Sequence, residues 1–429
     1  MPQLNLFDYV SDAYGATAAA AGILDNDRLY QMVAARASLT AAQLDHKIPI
    51  GETGKERSPL KRQIRWHQQT LKHMGLIERI DDVRGLWQLT GEGKRKLHRA
   101  AAGVTLLAFS TNLGIAIWGD CRQVFSRLDE PIHLVVTSPP YPLANPRAYG
   151  NPQASEYVDF ICHALEPLVA NLIPGGSICL NISNDIFEQG SPARSLYQER
   201  LVLALHDRLG LSLMDRLIWH NPSKPPGPIQ WASLKRVQLN VAYEPVLWFT
   251  NDPRKVRSDN RRVLEQHTER HLQTIAAGGS QREAEYGDGA YRKRKGSFGR
   301  ATAGRIPRNI IQAGHRCADN NEYRRDCERL GLPAHGAVFP ASLPSFLIRF
   351  MSEPGDLVAD PFGGKLTTAR EAERLNRRWV STELMHEYLV GAQERFRKCE
   401  GFVGGLPTLV ERREASCSDK IQTKNTTIS

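Results

Sequence analysis

Two short runs of residues carry most of the chain's chemical capacity. The first is Leu134-Val135-Val136-Thr137-Ser138-Pro139-Pro140-Tyr141. An apolar strand ends there in a stiff Ser-Pro-Pro turn, and an aromatic ring follows. Prolines fix φ and remove N–H donors, so the carbonyls of the turn face whatever lies beside it. That suits one problem, which is making an exocyclic amine nucleophilic. The lone pair of a nucleobase amine is delocalised into the ring. A hydroxyl (Ser138) and a backbone carbonyl accepting its two hydrogens would bias the nitrogen toward tetrahedral geometry, while Tyr141 stacks on the base. A base reaches such a pocket when it is flipped out of the duplex.

The second run is Gly355-Asp356-Leu357-Val358-Ala359-Asp360-Pro361-Phe362-Gly363-Gly364-Lys365-Leu366-Thr367-Thr368. Again a buried strand ends in a glycine-containing loop that opens a helix, a shape that lets a nucleoside-like cofactor approach the backbone. Glu383 lies 23 residues beyond Asp360, at the end of the next apolar segment. An acid about 20 residues downstream is where ribose hydroxyls are bound in such folds.

These loops need a sheet to hold them. From about Asn112, short apolar runs alternate with helical patterns. Strands are expected at Ile115–Trp118, Ile132–Thr137, Ser177–Ile182, Leu213–Trp219, Glu244–Thr250, Asp356–Asp360 and Trp379–Ser381. Helices are expected at 156–171, 196–209, 342–353, 367–375 and 385–398. Strand–helix alternation implies an α/β domain with a largely parallel sheet.

The N-terminal part reads differently. Arg28–Ala37 and Ala41–Leu44 are helical, and Ser58-Pro59 starts a third helix, with Ser as N-cap and Pro at the first helical position. Leu60, Ile64, Leu71 and Met74 form its apolar face, and Lys61, Arg65, Gln69 and Lys72 share the other. Strands at Leu76–Ile80 and Leu86–Leu89 flank a wing, Asp81–Gly85, and a closing helix begins at Thr90. This is the winged helix-turn-helix order, whose third helix commonly enters the major groove.

Together the two chemical motifs resemble those of the amino-group DNA methyltransferases that use S-adenosylmethionine. The order, Ser-Pro-Pro-Tyr first and Asp-Pro-Phe-Gly later, is that of the permuted beta group. The resemblance covers about 112–400. It is supported by Gly119-Asp120, Leu172–Ser177, Trp219–Lys224 and Phe339–Pro344. It implies a Rossmann-like α/β domain with a permuted, mostly parallel sheet. It assigns Ser138, Pro139, Pro140 and Tyr141 to catalysis, and Asp360, Phe362, Gly363, Glu383 and Asp120 to the cofactor. Ser in place of Asp before Pro-Pro-Tyr favours cytosine N4 over adenine N6. The N-terminal segment resembles the winged-helix module of Mrr-type restriction proteins. One departure stands out. The family loop continues Gly-x-Gly-Thr-Thr, whereas here Leu366 replaces the second glycine. A catalytically silent DNA-binding regulator is therefore the alternative from another class.

The chain has 429 residues and a net charge of +10. From Pro253 to Arg305 there are thirteen Lys or Arg and six Asp or Glu, a net of +7. This glycine- and serine-rich stretch, with Arg292, Lys293, Arg294 and Lys295 at its densest, lies where the beta group inserts its target-recognition region. Contacts to the phosphates of double-stranded DNA are expected there and at Lys61 and Arg65. The expected division is a winged-helix domain over 1–105, a catalytic domain over 106–405 with its insertion at about 251–335, and a polar tail over 406–429.

Other classes fare poorly. No apolar run approaches the ~20 residues of a membrane-spanning helix, and Met1–Asp8 lacks the pattern of a secretory signal. The seven cysteines are scattered and form no C-x-x-C, which fits reduced thiols in a cytoplasm. His315, Cys317, Cys327 and His335 match no compact zinc spacing, so no metal is expected. There is no Pro-Cys dipeptide for covalent cysteine catalysis and no nuclease carboxylate cluster. Cleavage of DNA would need a separate cognate restriction endonuclease.

Overall fold

The computed structural model describes residues 9–10, 13–14, 23–50, 55–73, 75–80, 83, 85–90, 98–100, 102–143, 152 and 155–406. In the N-terminal part, β1 (Ile23–Asp25) leads into α1 (Asn26–Arg36), whose first turn is capped by the Asp25 carboxylate accepting from the Arg28 N–H at 2.8 Å. Helix α2 (Ala41–Asp45) starts with a reciprocal Thr40/Gln43 capping box. A hairpin of β2 (Ile48–Ile50) and β3 (Lys55–Arg57), not foreseen from the sequence, precedes α3 (Pro59–His73). Strands β4 (Ile77–Arg79) and β5 (Leu86–Leu89) pair antiparallel, and β1 adds to β5. Met74, most of the wing and residues 91–97 of the closing helix lie outside the described residues.

The chain then re-enters at His98. Its N–H donates to the Glu387 carboxylate at 2.8 Å, and its ring nitrogen pairs with the same buried acid. The Ala100 N–H donates to the Leu384 carbonyl and the His386 N–H to the His98 carbonyl. The exit of the N-terminal module is thus stitched to the segment that follows Glu383.

The large domain is built on a ten-stranded sheet. Its central five strands are parallel neighbours: β7 (Gly114–Gly119), β16 (Arg378–Glu383), β15 (Leu357–Asp360), β8 (Ile132–Thr137) and β9 (Leu172–Asn181). Beyond β9 lie β11 (Tyr243–Thr250), antiparallel to it, then β10 (Ser212–His220) and β14 (Ile310–Gln312). Beyond β7 lie β6 (Thr105–Ser110) and β17 (Val403–Gly404), both antiparallel to their neighbours. Helices cover both faces, so the strands read as continuous apolar runs. Val135, Ile178 and Ala359 face α4 (Cys121–Phe125), α5 (Tyr157–Ala170) and α6 (Tyr197–Leu209). Leu134, Val136, Cys179 and Val358 face α9 (Ser342–Met351), α10 (Thr367–Arg374) and α11 (His386–Gln393). The period-2 alternation along each strand produces this division.

Differences from the sequence reading are local. Strand β6 went unread because it precedes the apparent start of the α/β pattern, and β9 begins five residues early, through a glycine pair that bends it. The helix expected over 385–398 ends at Gln393 and continues as a 3₁₀ turn, Glu394–Phe396.

The stretch 251–335 is not uniform. Its first part contains α7 (Glu269–Ala276) and the hairpin of β12 (Ala284–Tyr286) and β13 (Tyr291–Lys293), and Glu265 and Arg305 pair across its base. Its last part belongs to the sheet layers. Strand β14 pairs with β10, and α8 (Ala318–Leu330) buries Tyr323, Cys327 and Leu330 in the core. Charge marked the first part; an amphipathic helix closes the second.

Candidate active site and cofactor cavity

Strands β8 and β15 are adjacent and parallel, so their carboxyl ends deliver the two motifs to the same edge of the sheet. A direct bond joins them: the Thr137 hydroxyl donates to the Asp360 carboxylate at 2.6 Å. Asp360 also accepts the Phe362 N–H at 3.1 Å. Burial pushes its carboxyl up to about 6, with these hydrogen bonds acting in the other direction.

The loop after Asp360 is fixed by its neighbour β16. The Gly363 N–H donates to the Thr382 carbonyl at 2.8 Å, and the Thr382 hydroxyl to the Pro361 carbonyl at 2.8 Å. A Cβ on Gly363 would lie 2.4 Å from Ser381 Oγ, so no side chain fits. Leu366 is fully buried and adopts the left-handed conformation, φ +62°, that a glycine would take without strain. The turn itself is intact, with the Leu366 N–H on the Gly363 carbonyl at 2.7 Å.

Glu383 closes this side. Its two oxygens accept the N–H groups of Gly364 and Met385, each at 2.7 Å. A carboxylate has about four lone-pair sites, so acceptor capacity remains for hydroxyls. Burial pushes this carboxyl up to about 7, with Asp360 adding to the rise. Asp120 caps α4 and holds Arg122 at 2.7 Å, which lowers its own titration. Phe362 packs against Phe160 with ring centres 5.7 Å apart.

A cavity of about 420 Å³ runs between the motifs. Ser138, Tyr141, Asp120, Phe362, Gly363 and Glu383 all line it, which is a volume and a lining suited to a nucleoside-sized ligand. Lys365, which also lines it, and Arg395 behind it both pair with half-buried Asp319 of α8. Burial brings the Lys365 ammonium down to about 8.

The Ser138–Tyr141 turn sits in a polar network that the motif did not announce. Ser138 Oγ lies 3.0 Å from the Tyr141 hydroxyl, which donates to Glu244 at 3.1 Å. The Asn181 amide donates to the Tyr141 oxygen at 2.8 Å and to Glu244 at 2.9 Å, and Lys224 pairs with Glu244 at 3.3 Å. Burial and the Glu244 charge push the Tyr141 phenol well above its usual range. Asn181 ends an apolar strand and Glu244 lies near the start of another. A lone polar residue at a strand end was the signal available for both. Phe160 and Arg99, which also line the cavity, carried none.

The remaining residues singled out in the sequence lie elsewhere. In α3, Lys61 pairs with Asp45 at 2.6 Å and lies over the Tyr30 ring, and Arg65 is half-buried. They flank the Ile64–Gln68–Leu71 core stripe, so the outermost face is carried by Arg62, Gln63, Trp66 and Gln69. In the hairpin, Arg292 faces Glu285 at 3.2 Å, Lys293 is half-buried, and Arg294 and Lys295 are exposed. His315 bonds the Val338 carbonyl, Cys327 is buried beside Tyr323, and His335 stacks edge-on to Tyr388.

Comparison with known proteins agrees with this geometry. Residues 132–394 match the family described as DNA methylase, and residues 16–99 match the Mrr N-terminal domain. The chain is 34% identical over 290 residues to the type II methyltransferase M.PvuII of Proteus hauseri, covering 67% of this chain and 85% of that protein. M.MjaI of Methanocaldococcus jannaschii is 24% identical over 301 residues, covering 62% and 86%. Among solved structures, PvuII DNA methyltransferase (cytosine-N4-specific) matches at 32% identity with a TM-score of 0.53, covering 68% of this chain and 89% of that one. With its two motifs joined at one sheet edge and this extent of similarity, the chain belongs to the DNA methylase family.

Proposed function

We propose that the protein transfers a methyl group from S-adenosylmethionine to the N4 amine of cytosine in a specific duplex sequence. The observation that carries this is Ser138 at the carboxyl end of β8, lining the same cavity as Gly363 and Glu383. Similarity to a cytosine-N4-specific enzyme supports the choice of base. Asp360, Phe362, Gly363, Glu383 and Asp120 are the residues to hold the cofactor, and the spare lone pairs of Glu383, at the wall of the cavity, fit it. S-adenosylmethionine supplies the electrophilic methyl group when bound.

The chain's own residues do the rest. Pro139 and Pro140 keep the turn rigid. Ser138 accepts a hydrogen of the amine, Tyr141 lies against the base, and Asn181 and Glu244 hold both in place. Much of the acceleration comes from this positioning. The loop gives no support to a silent protein, because Leu366 preserves the turn it alters.

In this reading the chain divides at about residue 105, and the N-terminal module and the basic 251–308 segment contact double-stranded DNA. The enzyme is the modification half of a restriction–modification pair, with a separate endonuclease, acting in the cytoplasm. Among the described residues no helix is long and apolar enough to cross a membrane. Labelled methyl transfer to duplex DNA, followed by nucleoside chromatography, tests the proposal. N4-methylcytosine is expected. N6-methyladenine would reassign the base, and sequence-specific binding without transfer would refute the enzyme.

A further inference from the structure

Between β10 and β11 the chain makes an excursion, residues 221–242, that springs from the catalytic network and returns to it. Lys224 at its start and Glu244 just past its end form an ion pair. Its base is closed by the Asn221 N–H on the Ala242 carbonyl and the Val241 N–H on the Gly227 carbonyl, both at 2.8 Å. Strand β10 is antiparallel to β11, which is antiparallel to β9, so the carboxyl end of β10 lies at the same sheet edge as Ser138.

The tip of this excursion is unusual for a protein surface. Ile229, Leu234, Val237 and Leu239 are 65%, 69%, 59% and 85% exposed. Scattered exposed aliphatic side chains are ordinary, but four within eleven residues beside an active site are not. Each left in water forgoes the gain of burying an aliphatic side chain. The segment is nonetheless ordered by its own backbone, with the Val237 N–H on the Trp231 carbonyl, and by the Gln238 amide on the Pro192 carbonyl. Exposed Lys235 and Arg236 sit between Leu234 and Val237.

Apolar side chains flanked by cations, on an excursion rooted in the network around Ser138 and Tyr141, suit a duplex opened at an extruded base. Its phosphates take the cations, and the vacated space in the stack is apolar on both faces. We propose that this excursion is a wedge, with Leu234 and Leu239 foremost, that enters the duplex beside the target and fills the space the base leaves. The proposal rests on the base-methylation reading above.

The test uses the full chain with Leu234→Ser and Leu239→Ser combined, and Leu203→Ser, an exposed leucine of α6, as control. Single-turnover methyl transfer is measured on a duplex carrying the bound site, and on the same duplex with the target base mispaired. Mispairing lowers the cost of extrusion. The wedge variant is expected to lose about tenfold or more on the matched duplex and about twofold or less on the mispaired one, with the control unaffected. Equal loss on both duplexes, or none on either, overturns the wedge. So does a shift from dimer to monomer with the matched rate intact, which would assign the surface to a second copy. Fluorescence of 2-aminopurine at the target position reads extrusion without chemistry. Wedge-dependent extrusion by a wild type that transfers no methyl would refute the methylation reading alone.

Discussion

The Asp360–Thr368 loop, proposed to hold the cofactor, and the 221–242 excursion lie at the same sheet edge and are built in opposite ways. In the loop, residues 360–368 are almost wholly buried, and one residue accepts backbone strain to keep the path. In the excursion, aliphatic and cationic side chains stand in solvent. A small ligand needs a cradle shaped in advance, whereas a duplex must be met by groups that do not yet have partners. Packing therefore governs one region and exposure the other, and substitutions should separate them.

The largest effect is expected at the catalytic turn. Ser138→Ala and Tyr141→Ala should each cut turnover by roughly 10²-fold or more while cofactor affinity changes little. Unchanged turnover in Tyr141→Ala would remove its stacking role. Next comes Glu383. A carboxyl raised on folding binds its proton more tightly in the folded chain. Its ionisation therefore costs stability progressively between its unfolded value of 4.5 and about 7. Glu383→Gln should gain stability relative to the parent across that window, by up to roughly 3 kcal/mol, while cofactor binding weakens. A stability difference that is flat with pH would show that the acid is not buried in this way.

Leu366→Gly sharpens the contrast further. Glycine relieves the left-handed strain, worth about 1–2 kcal/mol, but loses a fully buried side chain worth about 2–5 kcal/mol. A net destabilisation of roughly 2 kcal/mol in denaturant unfolding is expected from these two figures. A stabilised variant would mean strain outweighs packing. The smallest effects belong to the exposed cations. Arg294→Ala or Lys295→Ala should weaken DNA binding severalfold and lower the salt slope by about 1 each. Arg292→Ala, already paired with Glu285, should do less.

The same contrast explains what the sequence could tell. The parallel core was legible because β8 and β15 are uninterrupted apolar runs ending in distinctive turns. Asp360 and Glu383 were legible because a strand end and a fixed spacing mark them. The meeting of Asn181, Lys224 and Glu244 was hidden, since β9, β10 and β11 are brought together by sheet order, which no local pattern encodes. The insertion expected at about 251–335 runs past the basic stretch into β14 and α8, which belong to the sheet layers, for a similar reason. Helix α8 is charged too, with three Arg and four Asp or Glu, but Tyr323, Cys327 and Leu330 turn it inward. In α3 a one-position rotation of the apolar stripe moved the outward face from Lys61 and Arg65 to Arg62 and Trp66.

The stitching at His98 bears on how such proteins are recombined. A winged-helix module ahead of a catalytic domain invites treatment as an exchangeable cassette, cut where the composition changes near residue 100. Here that cut would strip His98 from Glu387 and leave a buried acid short of a partner, four residues from Glu383, the carboxylate proposed to hold the cofactor. A graft that keeps His98 to Ala100 with the catalytic domain preserves that pairing. A cut that keeps this pairing therefore falls before His98, on the N-terminal side of the division proposed at about residue 105.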